Sequence, residues 1–162
     1  MINKKISEIL VVDDQKELVD LIVEFLRTAG YTVHGACSAE EALRVLERAH
    51  IYLVLLDIQM PRVNGIELLK MIKKRQPLVQ VVMMTGYGSI DRAVLTMKTG
   101  AYDFLSKPID FKELDALILK ALEDRKSIIE EKNLKGGLKR KLRNVTTELK
   151  RTKKKKSGEG GG

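Results

Sequence analysis

The chain opens its pattern with an unbroken apolar run, Ile9-Leu10-Val11-Val12, that stops at Asp13 and Asp14. A short continuous run of this kind suits a strand covered on both faces. Asp is a poor strand residue, so the strand is expected over residues 5–14 with its acids at the carboxyl end. Residues 15–29 change period: Leu18, Leu21, Ile22, Phe25 and Leu26 fall three and four apart, one face of a helix, before Gly30. A second strand is expected over residues 31–36. Ser38 and Glu41 have capping-box spacing and open a helix that runs to Ala49. Residues 51–57 repeat the first pattern, an apolar run ending in Asp57. A loop with Pro61 and Asn64-Gly65 follows, then a helix carrying Ile66, Leu68, Leu69 and Ile72 that ends before Pro77. A fourth strand over residues 79–85 is closed by Gly86-Tyr87-Gly88, and a fourth helix starts at Ser89 or Asp91 and ends at Gly100. A fifth strand over residues 102–106 meets Lys107-Pro108, and a fifth helix begins near Asp110 with Leu114, Leu117, Ile118, Ala121 and Leu122 inward.

Strands alternating with helices imply βαβ units and a parallel sheet covered on both faces. With right-handed crossovers the expected fold is α/β, a doubly wound five-stranded sheet of order 2-1-3-4-5. In that order the first and third strands are neighbours, so Asp13, Asp14 and Asp57 meet at the switch point. Ligands bind at this edge in open α/β sheets. Carboxylates about 4 Å apart repel by on the order of 4 kcal/mol per pair at an effective dielectric near 20. A cation offsets this, and hard oxygen donors suit Mg²⁺ with open positions. His34, His50 and the single Cys37 are too few and scattered for a zinc site. Thr85 and Lys107 end the fourth and fifth strands at the same edge. They offer a hydroxyl and an ammonium to a phosphoryl oxygen, which makes Asp57 a candidate covalent nucleophile.

Charge divides the chain. Residues 1–124 hold 16 Lys/Arg against 18 Asp/Glu, and residues 125–162 hold 14 against 4. The whole carries +8, so the basicity belongs to the tail. A domain over 1–122 and an extension over 123–162 are expected. Ile128 and Ile129 continue the fifth helix, Gly136-Gly137 are expected to interrupt it, and Leu138, Leu142, Val145 and Leu149 resume helical spacing. Two readings stay open for this segment, a helix used in dimerisation or a solvated one. Lys153–Lys156 offers charge alone to nucleic acid or acidic lipid. Residues 157–162 read as a flexible end. No apolar run has membrane-spanning length, and a lone cysteine excludes an intrachain disulfide. A cytoplasmic protein is the expectation.

The Asp13-Asp14 pair, Asp57, Met60-Pro61, Asn64-Gly65, Thr85 and Lys107-Pro108, taken together, resemble the receiver domain of two-component response regulators, a flavodoxin-like fold. The resemblance covers the chain to about Leu122. Ala93-Val94, Met97-Lys98 and the 100–108 segment further resemble receivers of nitrogen-regulation-type activators. No G-x-x-x-x-G-K loop for an ATPase accompanies them. The resemblance implies that Asp57 accepts phosphate from a histidine kinase or phosphotransfer protein. It implies that Asp14, Asp57 and the backbone carbonyl of Gln59 ligate Mg²⁺, with Asp13 assisting through water. It assigns Thr85 and Phe104 to a switch, Lys107 to phosphoryl pairing, and a cis bond to Lys107-Pro108. Such a protein catalyses its own phosphotransfer and dephosphorylation rather than acting as an enzyme on other substrates. An aspartate-dependent phosphohydrolase would carry a second acid two residues after the nucleophile, where Gln59 stands. The expected output is a changed surface on the fourth helix, fifth strand and fifth helix, with a homodimer as partner state. The alternative readings are a fragment of a larger regulator and a basic-tailed nucleic-acid-binding signalling protein.

Overall fold

The computed structural model describes residues 1–86 and 90–158, the last three for backbone alone. The turn expected at Gly86-Tyr87-Gly88, a helix start at Ser89 and the end over 159–162 therefore lie wholly or partly outside the described residues. Five strands and five helices alternate among those described: β1 (Glu8–Val12), α1 (Lys16–Thr28), β2 (Thr32–Ala36), α2 (Ala39–Arg48), β3 (Ile51–Asp57), α3 (Gly65–Arg75), β4 (Gln80–Thr85), α4 (Ile90–Thr99), β5 (Asp103–Ser106) and α5 (Phe111–Gly158). The sheet is parallel, in the order β2-β1-β3-β4-β5. By packing the chain forms two compact units, Met1–Arg125 and Lys126–Gly162.

Strand alternation explains why the runs are apolar throughout. Leu10, Val12, Val54, Leu56, Val81 and Met83 face one layer, with Ala42 and Val45 of α2 and Leu68, Leu69 and Ile72 of α3. Their neighbours Ile9, Val11, Leu53, Leu55, Val82 and Met84 face the other, with Ile22 and Leu26 of α1 and Leu114 and Ile118 of α5. Each central strand is thus buried on both sides, and a polar residue is admitted only where the strand ends. Asp13 and Asp57 stand at those ends.

Local chemistry sets the helix starts. The Ser38 hydroxyl accepts from the Glu41 N–H, while the Glu41 carboxylate reaches back to the Cys37 N–H, closing a reciprocal cap. Asn64 caps α3 by accepting from the Ile66 N–H at 3.0 Å. β1 is shorter than its pattern, because Ser7 N–H bonds back to the Lys4 carbonyl and the segment before it turns. The expected break at Gly136-Gly137 is not observed: α5 continues through both. Each glycine costs roughly 1 kcal/mol against alanine, which strong helix formers on both sides absorb. Among the described residues, nothing beyond the helix's own backbone and the chain neighbours lies within 4 Å of where a Cβ would stand at either position.

Gly65 positions the site most tightly. A Cβ there would stand 2.1 Å from the Asp57 carbonyl oxygen and 2.8 Å from the Ile58 Cα, so α3 begins in direct contact with the backbone that carries Asp57. The Gly65 N–H donates to the Ile58 carbonyl at 3.0 Å. Gly65→Ala is expected to destabilise the fold by about 1–3 kcal/mol in urea unfolding, because backbone cannot yield to the methyl. Alanine is the better helix former by roughly 1 kcal/mol, so a gain in stability would show that helix propensity, not close approach, governs this position.

Candidate functional site

Val12 pairs in register with Leu56, and Asp57 with Met84. The strand ends therefore bring Asp13, Asp14 and Asp57 to one edge, with carboxylate oxygens within 4.8 Å of one another. Their settings differ. Asp13 is fully buried, Asp57 nearly so, and Asp14 is exposed.

Lys107 answers the buried pair. Its Nζ donates to Asp13 Oδ2 at 2.7 Å and stands 3.5 Å from Asp57 Oδ2. The chain arrives from β5, where the Lys107 N–H donates to the Thr85 carbonyl at 2.7 Å, and the Lys107–Pro108 bond is cis. The other oxygen of Asp13 accepts the Gln15 N–H at 2.9 Å, and Asp57 Oδ1 accepts the Gln59 N–H at 3.3 Å. Burial pushes the Asp57 carboxyl above its ordinary range, and the Asp13 charge adds to this; Lys107 and the Gln59 N–H pull it back only in part. Burial presses the Lys107 ammonium down, but the hydrogen bond to Asp13 and the two carboxylate charges outweigh it and hold the group above its ordinary value.

Thr85 is buried at the end of β4, and its hydroxyl donates to the Leu105 carbonyl at 3.4 Å. Phe104 precedes that carbonyl on β5 and is 40% exposed. Beside the acids opens a cavity of about 370 Å³, lined by Ile58, Gln59, Met60, Pro61, Asn64 and Arg92. Arg92 lies in the first turn of α4, and no spacing in the sequence marks it, because its approach depends on how α4 packs. The primary tie of Lys107 to Asp13 is likewise absent from the pattern.

The donor set fits Mg²⁺. Three carboxylates converge with hard oxygens only, and Asp57 holds its proton more tightly than an ordinary carboxyl because burial and the Asp13 charge outweigh what Lys107 and the Gln59 N–H give back. Besides these carboxylates, the resemblance places the backbone carbonyl of Gln59, next but one after Asp57, at such a metal.

A family model described as the response regulator receiver domain matches residues 9–119. The transcriptional regulatory protein ZraR of Escherichia coli (strain K12) is 42% identical over 121 residues, which cover 75% of this chain and 27% of that protein. The nitrogen assimilation regulatory protein NtrX of Azorhizobium caulinodans is 38% identical over 130 residues, 79% of this chain and 29% of its own length. The chain thus spans less than a third of these curated relatives. Among solved structures, NtrX from Brucella abortus superposes with a TM-score of 0.77 at 37% identity, covering 80% of this chain and 30% of that one. A response regulator receiver domain protein from Clostridium thermocellum gives 0.72 at 35%, covering 75% and 98%.

A carboxyl whose folded pKa is raised weakens the fold when it ionises. The penalty is absent in acid and grows as pH rises through the ordinary carboxylate range toward the raised value. Asp57→Asn is therefore expected to raise the melting temperature at neutral pH without divalent cations, where about 1 kcal/mol is worth roughly 2–4 °C. The gain should fade in acid. Millimolar Mg²⁺ should raise the melting temperature of the wild type and leave the variant nearly unchanged. A wild type indifferent to Mg²⁺ contradicts the metal assignment.

Proposed function

The chain belongs to the response regulator receiver domain family, and from that premise we propose that it takes a phosphoryl group from a histidine kinase onto Asp57 and signals through the surface of α4, β5 and α5. The observation that carries this is the state of Asp57: nearly buried, with its carboxyl pushed up by burial and by Asp13, and 3.5 Å from the Lys107 ammonium. A carboxylate so placed is a nucleophile facing one cation, with a second acid, Asp14, exposed beside it.

In the transfer, an Asp57 oxygen bonds to phosphorus as the phosphorus–nitrogen bond of the donor imidazole breaks. The electron pair remains on the imidazole nitrogen, which takes up a proton. Lys107 pairs with the phosphoryl oxygens as the charge on Asp57 passes to them, and its tie to Asp13 holds it at the edge of the sheet. Asp14, Asp57 and the Gln59 carbonyl, with Asp13 assisting through water, would hold Mg²⁺, which would supply charge neutralisation at the phosphoryl group. The chain catalyses its own phosphotransfer and dephosphorylation and turns over no other substrate.

The switch follows from Thr85. Its hydroxyl donates to the Leu105 carbonyl, and a phosphoryl oxygen is the stronger, charged acceptor. Turning toward it releases the Leu105 carbonyl and opens room that the half-exposed Phe104 enters. Phe104 has no hydroxyl to anchor either position, so packing alone sets its balance. Val94, Leu95 and Met97 of α4 and Leu119 of α5 are exposed apolar side chains that a partner could read. A homodimer is the proposed partner state, and the cytoplasm, where such kinases deliver phosphate, the proposed setting.

Incubation with acetyl phosphate and Mg²⁺, followed by mapping of the acid-labile adduct, is expected to place the phosphoryl group on Asp57. Thr85→Ala should still be labelled but lose the change in surface accessibility around Phe104. Equal labelling of Asp57→Asn would overturn the assignment.

A further inference from the structure

The cavity beside the acids holds a charge that neither the acid cluster nor the switch uses. It lies beyond the carboxyl ends of β3 and β4, and none of its six lining residues is acidic. Arg92 brings a full positive charge to it from the first turn of α4. Among the described residues Arg92 takes part in no ion pair or hydrogen bond. Asn64, also in the lining, uses its side-chain oxygen to accept the Ile66 N–H at 3.0 Å, which leaves its amide N–H groups as donors. Ile58, Met60 and Pro61 add apolar surface.

A guanidinium without a partner, an amide donor and an apolar wall around one space fit a small carboxylate. The Arg fork matches the two carboxylate oxygens, and the wall takes the alkyl end. Asp57 itself does not line the cavity, whose lining begins at the next residue, Ile58. Lys107 already faces the Asp57 oxygen at 3.5 Å. The cavity therefore suits what lies beyond a phosphoryl group on Asp57 rather than the group itself.

We propose that this cavity is a leaving-group subsite for acyl phosphates, in which Arg92 and Asn64 receive the carboxylate released as Asp57 takes the phosphoryl group. This rests on the reading of Asp57 as the acceptor and adds a donor class to the histidine kinase. In the step, an Asp57 oxygen bonds to phosphorus as the bond from phosphorus to the bridging oxygen of the acyl phosphate breaks. The electron pair stays on that oxygen, so a carboxylate leaves and no proton is needed. Negative charge grows on the leaving oxygen in the transition state, and a guanidinium that donates to it lowers the barrier. An imidazole or ammonia leaving group takes up a proton and departs without negative charge, so it gains nothing from the same cation. Arg92 thus discriminates between donors of one and the same phosphoryl group.

Labelling of Asp57 is followed with acetyl phosphate and with phosphoramidate, whose leaving group is ammonia, each with Mg²⁺ present. Arg92 is exposed, so its variants are expected to melt as the wild type does. Arg92→Gln should slow labelling by acetyl phosphate roughly three- to tenfold, the worth of a charge-assisted hydrogen bond at an exposed site, and leave labelling by phosphoramidate within about twofold. Arg92→Lys should recover part of the loss, as a point charge without the fork. Equal slowing with both donors would put Arg92 on the phosphoryl group and overturn the proposal, as would no slowing with either. A second readout does not depend on Asp57. In Asp57→Asn, the side-chain N–H resonance of Arg92 is expected to shift on titration with acetyl phosphate or acetate, and not with chloride at the same ionic strength. A resonance that stays in place overturns the subsite even where wild-type Asp57 is labelled. A shift without any label on wild-type Asp57 overturns the acceptor reading, and the transfer step with it.

Discussion

Everything at the carboxyl edge of the sheet depends on one ammonium facing two buried carboxylates. Lys107 is 2.7 Å from Asp13 and 3.5 Å from Asp57, and the second, longer contact leaves Asp57 undercompensated. A fully neutralised cluster would be inert. A bare one would cost several kcal/mol in repulsion at these separations. The arrangement stands between, so added positive charge would change the balance at Asp57.

The fold holds that imbalance in place. Asp13 and Asp57 are carried by adjacent strands whose residues are buried in both layers, so neither acid can retreat from the other. Gly65 lets α3 start against the Asp57 backbone, and Asn64 caps it there. β5 delivers Lys107 through a backbone bond to Thr85, so the residue that faces both acids and the residue that ends β4 share one connection. Lys107 thus ties the acids to both β4 and β5, and Phe104 lies one residue from the carbonyl that Thr85 holds.

Much of this was legible in the sequence, for a physical reason. Runs such as 51–57 are apolar without alternation because both faces are buried, and an acid at the end of such a run marks where the strand leaves the core. A doubly wound sheet followed from alternation and crossover handedness, and its order from the common five-strand solution, which also brings Asp13, Asp14 and Asp57 together. What the pattern could not carry was distance. That Lys107 sits closer to Asp13 than to Asp57, that the Thr85 hydroxyl donates to Leu105, and that Arg92 lines the neighbouring cavity all depend on side-chain reach and helix packing. Gly136-Gly137 do not break α5, because the helix formers on both sides carry it through and outweigh the local propensity of two glycines.

Asp57 is, on these grounds, an undercompensated carboxyl, and the proposed function assigns its charge to a divalent cation. Carbon-13 carboxyl resonances of the aspartates, followed through a pH titration with and without Mg²⁺, test this most directly. Asp57 is expected to titrate above the ordinary carboxylate range in the metal-free protein and to move down when Mg²⁺ is added. An Asp57 that titrates as an ordinary carboxyl, and does so equally with and without Mg²⁺, would contradict it.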